Sequence, residues 1–200
     1  MKVKICGITD LVTAMKAVEY GADALGFVFA QSKRKIDPIS AKEIIHKLPK
    51  NVLKVGVFVN ESKEVIHHII DSCKLDLVQL HGEETSEYCK EFGKKSMKAM
   101  GIRSEHDLER VGHFPCEYIL LDSPKGKYYG GNGRTFDWSF ISQQHLHNKK
   151  IILAGGLNEQ NVKQAISTVQ PYMVDVSSGV ETNGKKDIAK IKKFIETVKS

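Results

Sequence analysis

The stretch that decides the fold is Lys4–Thr9, KICGIT, which ends the first short apolar run of the chain and begins the turn after it. Seven further runs follow, and several are hydrophobic without alternation, which is typical of parallel strands covered on both faces. Segments with helical periodicity lie between them, as at Leu11, Ala14 and Val18. The eight runs are VKICGI (3–8), ALGFVF (24–29), VGVFV (55–59), LVQLHG (77–82), MKAMGI (97–102), YILLDS (118–123), IILAGG (151–156) and VDVSSGV (174–180).

The first turn separates two folds that such a chain could adopt. An open, doubly wound sheet that binds a dinucleotide would carry Gly-x-Gly-x-x-Gly after its first strand, whereas Cys6–Asp10 read CGITD. Parallel neighbours need crossover connections, usually helices, and eight strand–helix units of about 25 residues would fill a closed barrel of the smallest usual size. We therefore expect residues 1–200 to form a single-domain (β/α)8 TIM barrel of the α/β class.

Composition and charge exclude several classes of protein. The net charge of +6 comes from scattered lysines with Asp or Glu close to most of them, and no motif that reads nucleic acid accompanies them. No signal-peptide core follows Met1, and nowhere do eighteen apolar residues occur together. The four cysteines form no C-x-x-C pair. We expect a cytoplasmic protein with reduced thiols that binds neither nucleic acid nor membrane.

The carboxyl ends of the eight strands would meet on one face of the barrel, where this fold places its catalytic residues. Cys6 ends the first strand and Asp122 ends the sixth. A partly exposed Cys6 beside an electropositive site would favour the thiolate, which is a base. Desolvation after YILL would raise the pKa of Asp122 and keep it a proton donor. The alternatives are a buried structural thiol and an Asp that caps the turn before Pro124.

Glycines and serines follow the last two strands. The loop after the seventh strand contains Gly155 and Gly156, and the loop after the eighth contains Ser177, Ser178 and Gly179. In this fold these two loops often bind phosphate, because glycine lets backbone N–H groups approach an anion and a helix N-terminus adds partial positive charge. A tight turn and a helix cap would explain each loop separately. Their adjacent positions favour a phosphorylated ligand.

Three further polar residues are expected on the same rim. His81 and Asp175 lie at the ends of the fourth and eighth strands, where each could contact a ligand or be a satisfied polar group or cap. Arg34 lies in QSKRKI after the second strand and could make a forked contact to a ligand carboxylate, or belong to a solvated loop. These residues would add an anion-binding and polar lining to the pocket.

Eight blocks of the sequence match, in order, the signature of a known family. They are KICGIT, GADALGFVF with SKRKI, VGVFVN, LVQLHGEE, LLDS, GGNGRTFDW, ILAGGLN and DVSSGVE. On these blocks the chain resembles the phosphoribosylanthranilate isomerases of tryptophan biosynthesis over essentially its whole length. Ordered matching of this kind is highly specific.

The resemblance implies an Amadori rearrangement of N-(5-phosphoribosyl)anthranilate to 1-(2-carboxyphenylamino)-1-deoxyribulose 5-phosphate, with no cofactor and no metal. The family's general base corresponds to Cys6 and its general acid to Asp122. Arg34 resembles its contact to the anthranilate carboxylate, while His81 and Asp175 match polar pocket residues. The phosphate would rest on the backbone of the two loops after strands seven and eight.

The longest connection, residues 123–138, is rich in glycine and suits a mobile flap over the ligand. Gly130, Gly131 and Gly133 would supply its freedom to move. The family's flap usually reads Gly-Gly-Thr-Gly, and Asn132 takes the place of the threonine here. Asn keeps a hydrogen-bonding side chain and tolerates unusual backbone angles, so we expect altered loop details rather than altered activity.

Other functions would need other residues. Indole-glycerol-phosphate synthase would require a lysine-rich catalytic set, and a phosphopentose epimerase would require metal-binding His and Asp at several strand ends. A phosphate-binding barrel without catalysis would not need Cys6 and Asp122 across one mouth. The apolar face of Ile188–Val198 could serve the core or a dimer, so the sequence is compatible with a monomer and with a homodimer.

Overall fold

The computed structural model describes residues 1–124, 135–141 and 149–200, in which the eight predicted strands form a closed parallel barrel. The strands are β1 (Lys2–Cys6), β2 (Ala24–Val28), β3 (Leu53–Phe58), β4 (Leu77–Leu80), β5 (Ser96–Gly101), β6 (Tyr118–Asp122), β7 (Lys150–Leu153) and β8 (Met173–Val176). Each strand pairs with the next in sequence, and β8 pairs with β1 to close the ring. The prediction of a TIM barrel is confirmed.

Helices cover the outside of the barrel. Within the described residues the α-helices are α1 (Leu11–Glu19), α2 (Pro38–Ile45), α3 (Lys63–Cys73), α4 (Ser86–Lys90), α5 (Val162–Val169) and α6 (Ile188–Lys199). Side-chain caps define where several of them begin: Asp10 Oδ1 accepts the Thr13 N–H at 2.8 Å, and Ser62 Oγ accepts the Val65 N–H at 3.3 Å. The periodic apolar residues that the sequence analysis named lie in α1 and α6, and each of these helices packs one apolar face on the barrel.

The connection between β5 and β6 departs from a strict strand–helix repeat. It is a 3-10 helix, Glu105–His113, rather than an α-helix. Its buried side chains, Leu108 and Val111, and the next one, Phe114, follow one another at intervals of three residues. A 3-10 helix has three residues per turn and keeps such positions on one face.

Alternation along the strands sorts the side chains into an inner and an outer set. Ala24, Val55, Leu120, Ile152 and Met173 belong to the cluster that fills the barrel. The residues between them belong to the cluster under the helices. A side chain two positions after a member of the inner set therefore also points inward, and it lies nearer the carboxyl end of its strand. This rule brings residues of β1, β6 and β8 to one mouth.

The apolar face of α6 serves the core. Ile191, Phe194, Ile195 and Val198 are buried, and α6 packs against α1, α5 and β1. Of the two roles that the sequence allowed for this face, the structure assigns it to the chain's own interior. In the described ranges, each helix is too short or too polar to cross a membrane.

Candidate active site

Cys6 is the last residue of β1, and its side chain lies inside the barrel beside those of β2 and β3. Only 7% of its surface is exposed. Burial raises the pKa of the thiol above its usual value, while the positive charges of Lys4 and Lys186 act in the opposite direction. The expectation of a partly exposed Cys6 in surroundings that favour the thiolate is therefore wrong for this structure. Neighbouring strands cover the sulfur, and its desolvation outweighs the nearby lysines.

A buried ion pair lies beneath Cys6. Lys4 precedes it by two residues on the same face of β1 and is completely buried. Lys4 Nζ lies 2.9 Å from Oδ1 of Asp175, because β1 and β8 are paired in a register that sets these residues side by side. Burial alone would lower the pKa of Lys4, but the carboxylate of Asp175 raises it above its usual value. Lys4 is therefore held in the charged form.

Arg34 is bound through a forked contact, but to a residue of the chain itself. Its Nε and Nη2 groups donate to Oε1 and Oε2 of Glu181 at 2.6 and 2.9 Å. Its side chain is only 18% exposed, so Arg34 does not belong to a freely solvated loop, which was the alternative to a ligand contact. The other guanidinium N–H groups make no hydrogen bond within the described part of the chain, which leaves donors for a ligand carboxylate.

A two-stranded hairpin holds the partner of Arg34. Strands β9 (Glu181–Thr182) and β10 (Lys185–Lys186) are antiparallel and place Lys186 opposite Glu181. Lys186 Nζ lies 2.5 Å from Glu181 Oε1 and 3.0 Å from the Ser177 carbonyl oxygen. The turn residues Asn183 and Gly184 both have positive φ, 53° and 76°. The sequence analysis did not predict the hairpin of β9 and β10, although Asn-Gly is a strong hairpin signal that could have indicated it.

The two loops predicted to bind phosphate lie against each other. Gly155 and Gly156 both have positive φ, 81° and 64°, which glycine adopts without strain. A Cβ atom on Gly179 would lie 1.9 Å from the carbonyl oxygen of Leu157, so only glycine permits this approach of the two loops. The Ser177 hydroxyl donates to the Cys6 carbonyl oxygen at 3.1 Å and ties the β8 loop to β1. Ser178 begins a 3-10 turn that ends at Val180.

Asp122 ends β6 on the other side of the mouth and is 4% exposed. Its Oδ1 accepts the Ser123 N–H at 2.7 Å, which is a contact that the turn-cap alternative also predicts. Its Oδ2 lies 3.3 Å from Nε2 of His81. The Gln79 amide nitrogen lies 2.8 Å from His81 Nδ1. His81 is therefore held between the Gln79 amide and the Asp122 carboxyl group.

A cleft of about 280 Å³ opens beside Asp122 and His81. Loops after β4, β5 and β6 line it, and they contribute Arg103 and Arg110 among other side chains. Cys6 is not among the described residues that line this cleft. Cys6 and Asp122 are both almost fully buried, 7% and 4% exposed, and this cleft lies beside Asp122.

The loop of His81 is anchored by a second buried ion pair. Lys98 Nζ lies 3.0 Å from Glu84 Oε2 and donates to the Gly82 carbonyl oxygen at 2.8 Å. Glu84 also accepts the backbone N–H groups of Asn60 and Gly82, both at 2.8 Å. These contacts fix the direction in which His81 leaves β4. Sequence reasoning did not single out this pair, since its two members belong to different strand–loop units.

The predicted site residues thus gather at one mouth as two groups. Cys6, Asp175, Arg34 and the two glycine–serine loops surround the ends of β1, β7 and β8, and His81 meets Asp122 beside the cleft. Gly130, Gly131, Asn132 and Gly133 of the predicted flap lie outside the described residues. Within 1–124, 135–141 and 149–200, no group of three or more His, Cys, Asp or Glu side chains is arranged to hold a metal ion.

Comparison with known proteins places this arrangement in a family. The family model for N-(5'phosphoribosyl)anthranilate (PRA) isomerase matches residues 3–197. The N-(5'-phosphoribosyl)anthranilate isomerase of Bacillus cereus (strain B4264) is 60% identical over 196 residues, which is 98% of this chain and 96% of the relative.

Solved structures agree with this match. The phosphoribosyl anthranilate isomerase of Thermotoga maritima has a TM-score of 0.90 and 47% identity, with 100% of this chain and 98% of that chain covered. A structure of a phosphoribosyl anthranilate isomerase in complex with reduced 1-(o-carboxyphenylamino)-1-deoxyribulose 5-phosphate has a TM-score of 0.87 and 45% identity, at the same coverage. The chain therefore belongs to the N-(5'-phosphoribosyl)anthranilate isomerase family, the isomerases of tryptophan biosynthesis.

Proposed function

We propose that the chain, as one barrel domain, catalyses the Amadori rearrangement of N-(5-phosphoribosyl)anthranilate with Cys6 as general base and Asp122 as general acid. The observation that carries the assignment is the inward direction of both side chains at the carboxyl ends of β1 and β6. A thiol and a carboxylic acid at one barrel mouth can exchange protons with two atoms of one sugar.

In the proposed reaction, one group first gives a proton to the substrate, and a second group then removes a proton from it. Asp122 gives its proton to the furanose ring oxygen, the bond from that oxygen to C1 breaks, and an iminium forms between C1 and the anthranilate nitrogen. The Cys6 thiolate then removes the proton from C2, and the electron pair of that C–H bond forms a C1–C2 double bond as the iminium is neutralised. The enol O–H loses its proton while C1 gains one, which gives the ketone and restores both catalytic groups.

The remaining residues at the mouth would bind the substrate. We assign the phosphate to the backbone of Gly155–Gly156 and Ser177–Gly179, two loops in contact with each other. Arg34 retains N–H groups for the anthranilate carboxylate, and its bidentate contact with Glu181 fixes the plane of the guanidinium. His81 and Asp175 would contribute polar contacts to the sugar. The solved complex of a relative with reduced 1-(o-carboxyphenylamino)-1-deoxyribulose 5-phosphate supports a phosphosugar ligand.

The iminium itself accepts the electron pair, so the proposed route needs no metal and no cofactor. A phosphopentose epimerase mechanism would require metal ligands at several strand ends, which the described residues do not supply. The product is 1-(2-carboxyphenylamino)-1-deoxyribulose 5-phosphate.

Loss of substrate fluorescence during the rearrangement tests the assignment. We expect Cys6→Ser and Asp122→Asn each to lower kcat by about two orders of magnitude or more, with binding of a reduced product analogue largely retained. Cys73→Ser is the matched control, because Cys73 is a buried thiol at the end of α3, away from the mouth. If Cys6→Ser and Asp122→Asn both turned over the substrate at the normal rate, the acid and the base would be other residues.

A further inference from the structure

Lys4 is a buried charged residue for which the proposed reaction has no direct use. It lies on the same side of β1 as Cys6, two residues earlier, and is 0% exposed. Gly26 of β2 is the register partner of Cys6. A Cβ atom on Gly26 would lie 2.8 Å from Cys6 Sγ and 3.2 Å from Lys4 Nζ. The ammonium and the sulfur therefore converge on the space that the missing side chain leaves open.

Four charged groups surround the Cys6 sulfur. Lys4 comes from β1, Asp175 from β8, Lys186 from β10 and Arg34 from the loop after β2. Arg34 and Lys186 are both bound to Glu181. Lys4 shares β1 with Cys6, and its ammonium lies with the sulfur around the Cβ position of Gly26. The ammonium has three donors, of which Asp175 uses one at 2.9 Å.

We propose that Lys4 is a positioning residue for Cys6: its ammonium, anchored by Asp175, orients the sulfur and stabilises the thiolate that removes the C2 proton. The role of that thiolate as a base rests on the proposed function. The effect of the Lys4 charge on the ionisation of Cys6 does not depend on it. Because Asp175 holds Lys4 in the charged form, Lys4 supplies a fixed positive charge and exchanges no proton in the reaction. Asp175 would thereby act on Cys6 through Lys4, in addition to any contact with the sugar.

The pH dependence of Cys6 alkylation by iodoacetamide, followed by mass spectrometry of the Cys6 peptide, tests the proposal without reference to turnover. Only the thiolate reacts, so the rate reports its population. We expect Lys4→Met to lower the rate near pH 7.5 by about tenfold or more and to move the midpoint of the profile to higher pH.

A purely structural role for Lys4 would not move the midpoint of the alkylation profile. The matched control is Lys2→Met, which removes an exposed lysine of the same strand and should leave the profile unchanged. If Lys4→Met does not fold, the neutral pair Lys4→Met/Asp175→Asn leaves no unpaired buried charge. Its midpoint should still lie above that of the wild type, because the charge of Lys4 acts on the thiol more strongly than that of Asp175. A folded Lys4 variant with an unchanged profile, or a double variant at or below the wild-type midpoint, would overturn the proposal.

Turnover provides the second measurement. In Lys4→Met the acidic limb of the kcat/KM profile should move to higher pH together with the alkylation midpoint. If Cys6→Ser were fully active, the assigned base would be wrong, yet the alkylation profiles would still decide whether Lys4 stabilises the thiolate. Failure of one claim is thus distinguishable from failure of the other.

Discussion

The two sides of the barrel mouth differ in the charged groups that surround Cys6 and Asp122. On the side of Cys6, the proposed base, neighbouring strands cover the sulfur, and the charges around it are paired, Lys4 with Asp175 and Arg34 with Glu181. On the side of Asp122, the proposed acid, the carboxyl group contacts the His81 imidazole and the backbone of the next residue, beside a cleft of about 280 Å³.

The difference fits the proposed roles of the two groups. A thiol is a weak base until it is ionised, and burial opposes ionisation, so a base at Cys6 would need permanent charges within reach of the sulfur. A carboxyl group that acts as an acid would need no such charges to give its proton. The base side is therefore expected to be sensitive to single charge changes, and the acid side to changes that move its loops.

The largest expected effect comes from removing the groups that exchange protons. Cys6→Ser and Asp122→Asn should each reduce kcat by about a hundredfold to ten-thousandfold. The double variant Cys6→Ser/Asp122→Asn should be about as slow as the slower single variant, because both act on one reaction sequence. Fluorescence-monitored turnover measures all three, and a double loss equal to the product of the single losses would contradict a shared sequence.

Stability should depend strongly on the ion pair behind the acid side. Lys98→Met leaves the buried carboxylate of Glu84 without its cation and should lower the free energy of unfolding by about 3–5 kcal/mol. Lys98→Met/Glu84→Gln should recover part of that loss. Urea unfolding measures the effect, with Lys16→Met in the exposed Lys16–Glu19 pair as the control that stays near the wild type. Equal losses at the two sites would argue against the buried pair as the anchor of the loop.

A smaller effect is expected from changing the fork of Arg34 without changing its charge. Arg34→Lys cannot bind Glu181 and a ligand carboxylate in the same plane, so KM should rise by about tenfold with a lesser change in kcat. Lys33→Met removes a charge from the same loop at an exposed position and serves as the control. Steady-state kinetics separates the two parameters. An unchanged KM in Arg34→Lys would remove Arg34 from the substrate contacts.

The smallest effect concerns acid stability on the base side. Burial would raise the pKa of Glu181, but the hydrogen bonds from Arg34 and Lys186 hold it below its usual value. A depressed carboxylate pKa stabilises the fold above the unfolded value of about 4.3, and the stabilisation is lost as pH falls through the folded value. The wild type should therefore exceed Glu181→Gln in free energy of unfolding at pH 7, with a gap that narrows below about pH 4.5. A gap that stays constant in urea unfolding down to pH 3 would contradict this.

The barrel could be predicted from the sequence because its determinants are local. Each strand is a short, mostly apolar run, and α1, α3 and α6 have periodic apolar faces. The 3-10 helix before β6 was missed because buried residues spaced by three also suit one face of an α-helix.

For the site, the sequence predicts which residues lie at the strand ends but not the contacts that those residues make. The positions of Cys6 and Asp122 follow from the barrel, but the burial of Cys6 depends on side chains from two other strands, which no local pattern records. The contact between Arg34 and Glu181 joins residues 147 positions apart. Lys4 had a signal that could have been used: a lysine in the middle of a strand covered on both faces must have a buried partner.

Closure of the ring has a consequence for how the enzyme is made. Lys4 and its counter-ion Asp175 are 171 residues apart, and they meet only when β8 takes its place beside β1. On the ribosome the lysine is translated 171 residues before the aspartate that neutralises it. The charge of Lys4 therefore has no such counter-ion until β8 has been synthesised and the ring has closed, so formation of the buried pair marks the closure of the barrel.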